Sequence, residues 1–240
     1  MHSIQRPAAR WATAKTDRRA LVAILLAAAA HPAWPQVAPT PAQQQAYTGL
    51  HAAAQRGDVR AIAGAARSAL DTRDPQGRTP LHVATFARRR EAVAALLAAG
   101  AEPGALDADR YDAVTIAAVA DDEPTLAALL AGGASAKLVT SRYDGTALIA
   151  AAHLGHAGVV RLLIKAGAPL DHVNNLHWTA LIEAVVLGDG GPRHQATLQA
   201  LLEAGADARL ADREGRTSLQ LARSRGYTAM VAMLERAGAK

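Results

Sequence analysis

The chain has 240 residues, half of them hydrophobic, with one Phe, no Cys and a formal net charge of +5. The lack of cysteine excludes a disulfide frame, a thiolate metal site and a cysteine nucleophile. The apolar content is rich in alanine and poor in aromatics, which suits thin helices packed closely rather than a globule built around large rings.

At the N-terminus, Arg6, Arg10, Lys15, Arg18 and Arg19 precede an apolar run from Ala20 to Ala30, which His31-Pro32-Ala33-Trp34-Pro35 ends. A basic stretch, a short apolar run and a small-residue exit predict a secretory signal peptide over residues 1–35, cleaved between Ala30 and Ala38. The alternative is an uncleaved anchor, but the run falls short of the ~20 residues that a membrane span needs. Arg18-Arg19 ahead of Leu21-Val22 lacks the Ser and Phe of a twin-arginine signal. The expected product is therefore periplasmic or secreted, with no membrane span after cleavage. Residues 1–35 hold five of the basic residues and one acidic residue, which leaves 21 basic and 20 acidic residues. The high pI of the whole chain thus belongs mostly to the leader, and nucleic acid is rejected as the partner. Residues 36–45, rich in Pro, Ala and Gln, predict a flexible linker.

From residue 46 onward one unit is copied. Gly-Ala recurs at Gly100-Ala101, Gly133-Ala134, Gly167-Ala168, Gly205-Ala206 and Gly238-Ala239, with steps of 33, 34, 38 and 33 residues. A period near 33 residues marks a stack of supersecondary units. A weak first unit holds Thr48-Gly49-Leu50-His51-Ala52-Ala53 and Gly57-Asp58-Val59. The second reads Thr79-Pro80-Leu81-His82, Ala84, Val93, Leu96-Leu97. Thr79 predicts a helix cap and Pro80 suits the first helical position, where its missing N–H costs nothing. Val93, Leu96 and Leu97 form the core stripe of a second helix, which Gly100 ends with a positive φ. The third unit replaces the Thr by Asp112, which still caps, and Pro124 opens its second helix behind Asp121 and Asp122. The fourth carries Thr146-Ala147-Leu148-Ile149-Ala150-Ala151 and Gly155-His156. The fifth carries Thr179-Ala180-Leu181-Ile182-Glu183-Ala184, and the sixth Thr217-Ser218-Leu219. In the sixth, Glu235 follows Leu234 where inner units pair apolar residues, so that unit reads as a polar-faced C-terminal cap.

These residues resemble the ankyrin repeat, with its T-P-L-H-x-A start, G-H turn, V-x-x-L-L run and G-A close, over roughly residues 45–240. The resemblance implies an all-α repeat solenoid of about six helix-turn-helix units with β-hairpin fingers over 46–240. It also implies a protein-binding surface, made by the fingers and the outer side of the first helices. The fifth unit carries about five extra residues in Gly188-Asp189-Gly190-Gly191-Pro192-Arg193-His194-Gln195. Together with Trp178-Thr179-Ala180-Leu181-Ile182-Glu183-Ala184 this loop resembles small bacterial ankyrin proteins, many of them predicted to be exported.

On this basis the candidate partner-binding residues are Arg78, Phe86, Arg110, Tyr111, Arg142, Tyr143, Glu183 and Arg193. Tyr and Arg are enriched where binding energy concentrates. The histidines show no metal-ligand spacing; His51 and His82 are expected to brace neighbouring units, and His156 belongs to the G-H turn. No catalytic constellation and no cofactor site is visible. The reading that follows is a non-catalytic, monomeric interaction scaffold of the bacterial envelope, holding an unidentified protein partner. The alternative is a small-molecule or anion-binding accessory protein for an envelope enzyme, such as one of peroxide defence. There the glycines and Arg193 would receive the anion, although the Lys and Ser/Thr of a phosphate-binding P-loop are missing.

Overall fold

The computed structural model describes residues 38–239. The expected signal peptide, 1–35, lies outside the described residues. A first short helix, α1 (Pro41–Ala46), falls within the segment expected to be a flexible linker. Thr40 organises it: its hydroxyl accepts from the Gln43 N–H at 3.2 Å, while the Gln43 side chain accepts from the Thr40 N–H at 2.8 Å. This reciprocal cap, with Pro41 behind it, overrides the low-complexity composition.

Six helix pairs follow among the described residues. They are α2 (Gly49–Arg56) with α3 (Val59–Ala63), α4 (Pro80–Phe86) with α5 (Arg90–Ala99), and α6 (Ala113–Val119) with α7 (Glu123–Ala131). Then come α8 (Ala147–Leu154) with α9 (Ala157–Lys165), α10 (Ala180–Val186) with α11 (Pro192–Glu203), and α12 (Ser218–Ser224) with α13 (Thr228–Arg236). First helices pack on first helices and second helices on second, giving two layers. Ala84, Ala117, Ala151, Ala184 and Ala222 are buried where the first helices meet. A larger side chain there would hold the helices apart. The second-helix layer contributes Val93, Leu96, Leu126, Leu129, Val160, Leu163, Leu198 and Leu201, all buried. Gly100 ends α5 at φ 95°, and its N–H reaches back to the Leu96 and Leu97 carbonyls.

The caps work as the sequence indicates. Asp112 accepts from the Thr115 N–H at 2.8 Å, and Asp122 from the Thr125 N–H at 3.2 Å. In unit two the cap recruits a histidine. His82 Nδ1 accepts from the Thr79 N–H at 3.1 Å, and its Nε2 bonds the Tyr111 carbonyl at 3.0 Å. A carbonyl can only accept, so the ring is neutral with its proton on Nε2. His51 makes the equivalent bond to the Arg78 carbonyl at 2.9 Å. Each histidine thus ties its unit to the next one.

The fingers are built differently from plain hairpins. Among the described residues one finger has paired strands, β1 (Val139–Thr140) with β2 (Gly145–Thr146), antiparallel with Val139 opposite Thr146, and the finger of unit six has a single bridge, Ala211 with Thr217. Elsewhere the residue five before the cap bends the finger through its side chain. Asp74 Oδ1 accepts from Gln76 and Arg78 N–H, and Asp107 Oδ1 from Asp109 and Tyr111 N–H. Asn174 and Asp212 repeat the pattern. Backbone bonds then link finger to finger, Ala108 N–H to Gln76, Ser141 to Arg110 and Asn175 to Tyr143.

Burial pushes the His82 pKa down from 6.5 to about 4. Between those values the unfolded chain binds a proton that the folded chain refuses, so stability is full above pH 6.5 and falls as pH drops towards 4. The loss attributable to this one ring reaches roughly 3 kcal/mol. Urea unfolding of the wild type and of His82→Gln at pH values spanning this interval checks it. The difference between their free energies should shrink by about that amount on acidification.

Candidate interaction surface

Three of the eight expected contact residues are structural. Arg78 is buried; its Nε donates to Asp74 Oδ2 at 2.7 Å, and the Tyr47 hydroxyl donates to the same oxygen at 3.1 Å. Burial works to raise the Asp74 pKa, but hydrogen bonds from Arg78 and Gln76 outweigh it and hold the carboxyl below its usual range. Tyr111 is also buried, immediately ahead of the Asp112 cap, and desolvation pushes its hydroxyl up to about 12. Glu183, at 1% exposure, is enclosed in the first-helix layer. None of the three side chains is open to a partner. The sequence showed aromatic and arginine residues on fingers, but not their direction: Arg78 and Tyr111, directly before their caps, are buried, whereas Arg216 at the same place in unit six is exposed.

Arg110, Arg142 and Arg193 are exposed, yet each is engaged. Arg110 pairs with Asp144 at 3.2 Å and Arg142 with Asp109 at 3.5 Å, two crossed ion pairs between adjacent fingers. Exposed pairs of this kind contribute about 0–1 kcal/mol each and yield readily to a partner's charges. Arg193 reaches Asp121 of unit three at 3.1 Å, passing over unit four. Tyr143 and Phe86 are half-buried.

The inserted loop of unit five is a brace. Asp189 Oδ1 accepts from the Gly191 N–H at 2.8 Å and bonds His194 Nδ1 at 2.9 Å. The Gly191 bond, then the His194 bond, lower the Asp189 pKa. His194 Nε2 bonds the His153 carbonyl of unit four at 2.9 Å. The Tyr227 hydroxyl of unit six donates to the Gly188 carbonyl at 2.9 Å. A carboxylate therefore already sits on the N–H that an anion would need, and Arg193 points to Asp121 instead. Asp189 is thus paired with His194 and Arg193 with Asp121. Among the described residues, no group of three His, Cys, Asp or Glu is arranged to hold a metal ion.

A different row emerges from the repeat register. The seventh residue after each cap is Gln55, Phe86, Val119, His153, Val186 and Ser224, in the last turn of each first helix or at its end. All but Ser224 are half-buried, and Ser224 is exposed. Leu154 and Leu187 lie beside this row, also half-buried. Within it, His153 Nδ1 bonds Glu183 Oε2 at 3.1 Å, and Asn174 Nδ2 donates to Glu183 Oε1 at 3.0 Å. Sequence reasoning named Phe86 alone from this row. Counting seven residues from every cap would have found the others.

The chain belongs to the ankyrin repeat family. The family model for ankyrin repeats in three copies matches residues 11–107 and 114–212. The putative ankyrin repeat protein YahD of Escherichia coli (strain K12) is 36% identical over 190 residues, spanning 78% of this chain and 94% of that protein. The crystal structure of an ankyrin repeat domain from Acinetobacter baumannii AYE is similar at a TM-score of 0.74 and 42% identity, covering 80% of this chain and 98% of that one. The ankyrin repeat domain of Bcl-3, a member of the IkappaB family, is similar at a TM-score of 0.72 and 29% identity, covering 81% and 88%. Ankyrin repeats are generally protein–protein interaction scaffolds.

The brace has a sharp energetic signature. Gly190 has φ 72°, and a Cβ added there would lie 2.5 Å from the Tyr227 ring. Gly190→Ala should cost about 1–3 kcal/mol through backbone strain and the clash with that ring. Arg193→Ala, which removes an exposed ion pair, should change stability by less than about 1 kcal/mol. Urea unfolding midpoints of the two variants test the contrast.

Proposed function

We propose that this protein is a non-catalytic, monomeric scaffold that holds a protein partner along the first-helix row and the finger tips, in the periplasm or outside the cell. The observation that carries the interaction reading is the partly exposed apolar row Phe86, Val119 and Val186, flanked by Leu154 and Leu187. Aliphatic and aromatic side chains left half-open at the same place in units two, three and five, with Leu154 of unit four beside them, form a ledge, and such a ledge suits an extended or helical partner segment. The crossed pairs Arg110–Asp144 and Arg142–Asp109 supply exchangeable charges on the finger tips. Export rests on the basic-then-apolar leader of residues 1–35.

The test uses the full chain as bait in extracts of its native cells, fractionated into envelope and cytosol. Phe86→Glu combined with Val119→Glu should remove at least about nine-tenths of the captured partner, a loss near 1.4 kcal/mol. Circular dichroism should stay native, because both positions are only half-buried. Undiminished capture by this variant would reject the row. Fusing residues 1–45 to a phosphatase that is active only after export tests the leader, and an inactive fusion would reject the envelope.

A further inference from the structure

The repeat provides its own internal comparison. Outside unit five, each first helix turns into its second over the ninth to eleventh residues after the cap. At the ninth place units one, four and six carry Gly57, Gly155 and Gly226 with positive φ, whereas unit two carries Arg88 at φ 54°. At the tenth place Asp58 and Asp122 cap the second helices of units one and three through their side chains, whereas Arg89 makes no side-chain cap bond. At the eleventh place Arg90 opens α5, where the helix dipole disfavours a cation. Three consecutive arginines thus each stand where the local structure favours another residue type. Departures of this kind mark places where function sets the residue.

Two of these side chains are fixed at the edge of the first-helix row. Arg88 donates to the Ala120 carbonyl at 2.8 Å, next to Val119, and Arg89 Nε donates at 3.2 Å to the carbonyl of Gln55, itself a row position. The Arg89 stem lies against Gly57, where an added Cβ would be 3.2 Å from its Cδ. Each guanidinium uses one donor on a neutral carbonyl, so its charge and its other donors stay available. Arg56, which ends α2, and Arg60, in the first turn of α3, flank the same Gly57. All five arginines are exposed. The carboxylates nearby are engaged or set apart: Asp58 accepts from the Ala61 N–H at 3.0 Å, Asp122 lies 3.8 Å from Arg88, and Glu91 is exposed on α5. Among the described residues no carboxylate is paired with Arg56, Arg60, Arg89 or Arg90.

We propose that this arginine edge of units one and two receives the acidic end of a partner peptide segment, whose aliphatic residues continue over Phe86, Val119 and Val186. This rests on the interaction reading above and adds the chemistry and the direction of the segment. In unit three the same turn reads Asp121-Asp122-Glu123, so acidic residues are drawn to units one and two and repelled from unit three, and the segment lies in one orientation. Guanidinium groups take a carboxylate on two parallel N–H bonds, a geometry that an ammonium does not offer. The half-open apolar side chains beside the arginines favour a peptide over nucleic acid, whose phosphate backbone brings no aliphatic group to Val119 or Val186.

The probe is a library of random peptides displayed on phage and panned on the full wild-type chain. Selected peptides are expected to carry Asp or Glu clustered at one end of an aliphatic stretch. Arg56→Gln, Arg60→Gln and Arg90→Gln combined should cost these peptides at least about tenfold in affinity. All three positions are exposed, so thermal melting of this variant should stay native. Raising the salt concentration should weaken binding to wild type and have a smaller effect on the arginine variant, because exposed charges are screened. Val119→Gln combined with Val186→Gln, which changes no charge, should weaken the same peptides. Peptides that bind the arginine variant as they bind wild type, but lose binding on the valine variant, would overturn this inference and leave the scaffold reading standing. A single-stranded oligonucleotide that binds wild type more tightly than the selected peptides, and loses that affinity on the arginine variant, would also overturn it, since the edge would then be a nucleic-acid site. A wild-type chain that enriches no peptide overturns both readings.

Discussion

No helix pair in this chain can bury its own apolar surface. α6 has Ala113 to Ala118 buried along almost its whole length, although only one side of it meets its own second helix. The remaining area is covered by α4 before it and α8 after it, so stability resides in the seams between units. Alanine at the same place in five successive first helices sets how closely those seams close. Much of the polar bonding is arranged around keeping that spacing. Histidine bridges in the first two units and backbone bonds between fingers join one unit to the next, and Asx bends hold each finger in the shape those bonds need.

The repeat made the fold legible, because period, caps and closing glycines recur in register and each has a local physical cause. Asp112 could be read as a cap although the unit lacks its Thr, since a carboxylate accepts an N–H as a hydroxyl does. Side-chain direction was less legible. Arg78 and Tyr111 look like finger-tip contacts in one dimension, but both are buried, while Arg216 at the same register place after the same kind of bend is exposed, so direction there is set by what packs on the finger and not by the local sequence. The helix at Pro41–Ala46 was hidden because its signal, Thr40 with Gln43, is two residues long inside a stretch whose composition reads as linker.

Units two and three show where a residue has been retained at some local cost. In the turn nine residues after the cap, Gly57, Gly155 and Gly226 take positive φ, whereas Arg88 and Asp121 adopt φ 54° and 52° at the same place. A side chain in this region costs on the order of 1 kcal/mol or more relative to Gly. Both residues use the strained backbone to reach out of their own unit. Arg88 donates to the Ala120 carbonyl at 2.8 Å, and Asp121 receives Arg193. The turn edge is thus stitched from unit two to unit five by side chains, in parallel with the backbone stitching of the fingers on the opposite edge.

The run of unit five around its inserted loop divides into two parts when its contacts are traced. Gly188, Asp189, Gly190, His194 and Gln195 are occupied by bonds or packing to Tyr227, Gly191 and the His153 carbonyl, and these residues hold units four, five and six together. Glu183 is different, because the same brace would form over an aliphatic residue at that place. A buried carboxylate with both oxygens committed stabilises a stack less than well-packed leucine does, and Leu221 shows that leucine fits this register. What Glu183 does in this place is join elements: through Asn174 it holds the finger of unit five, and through His153 the first helix of unit four.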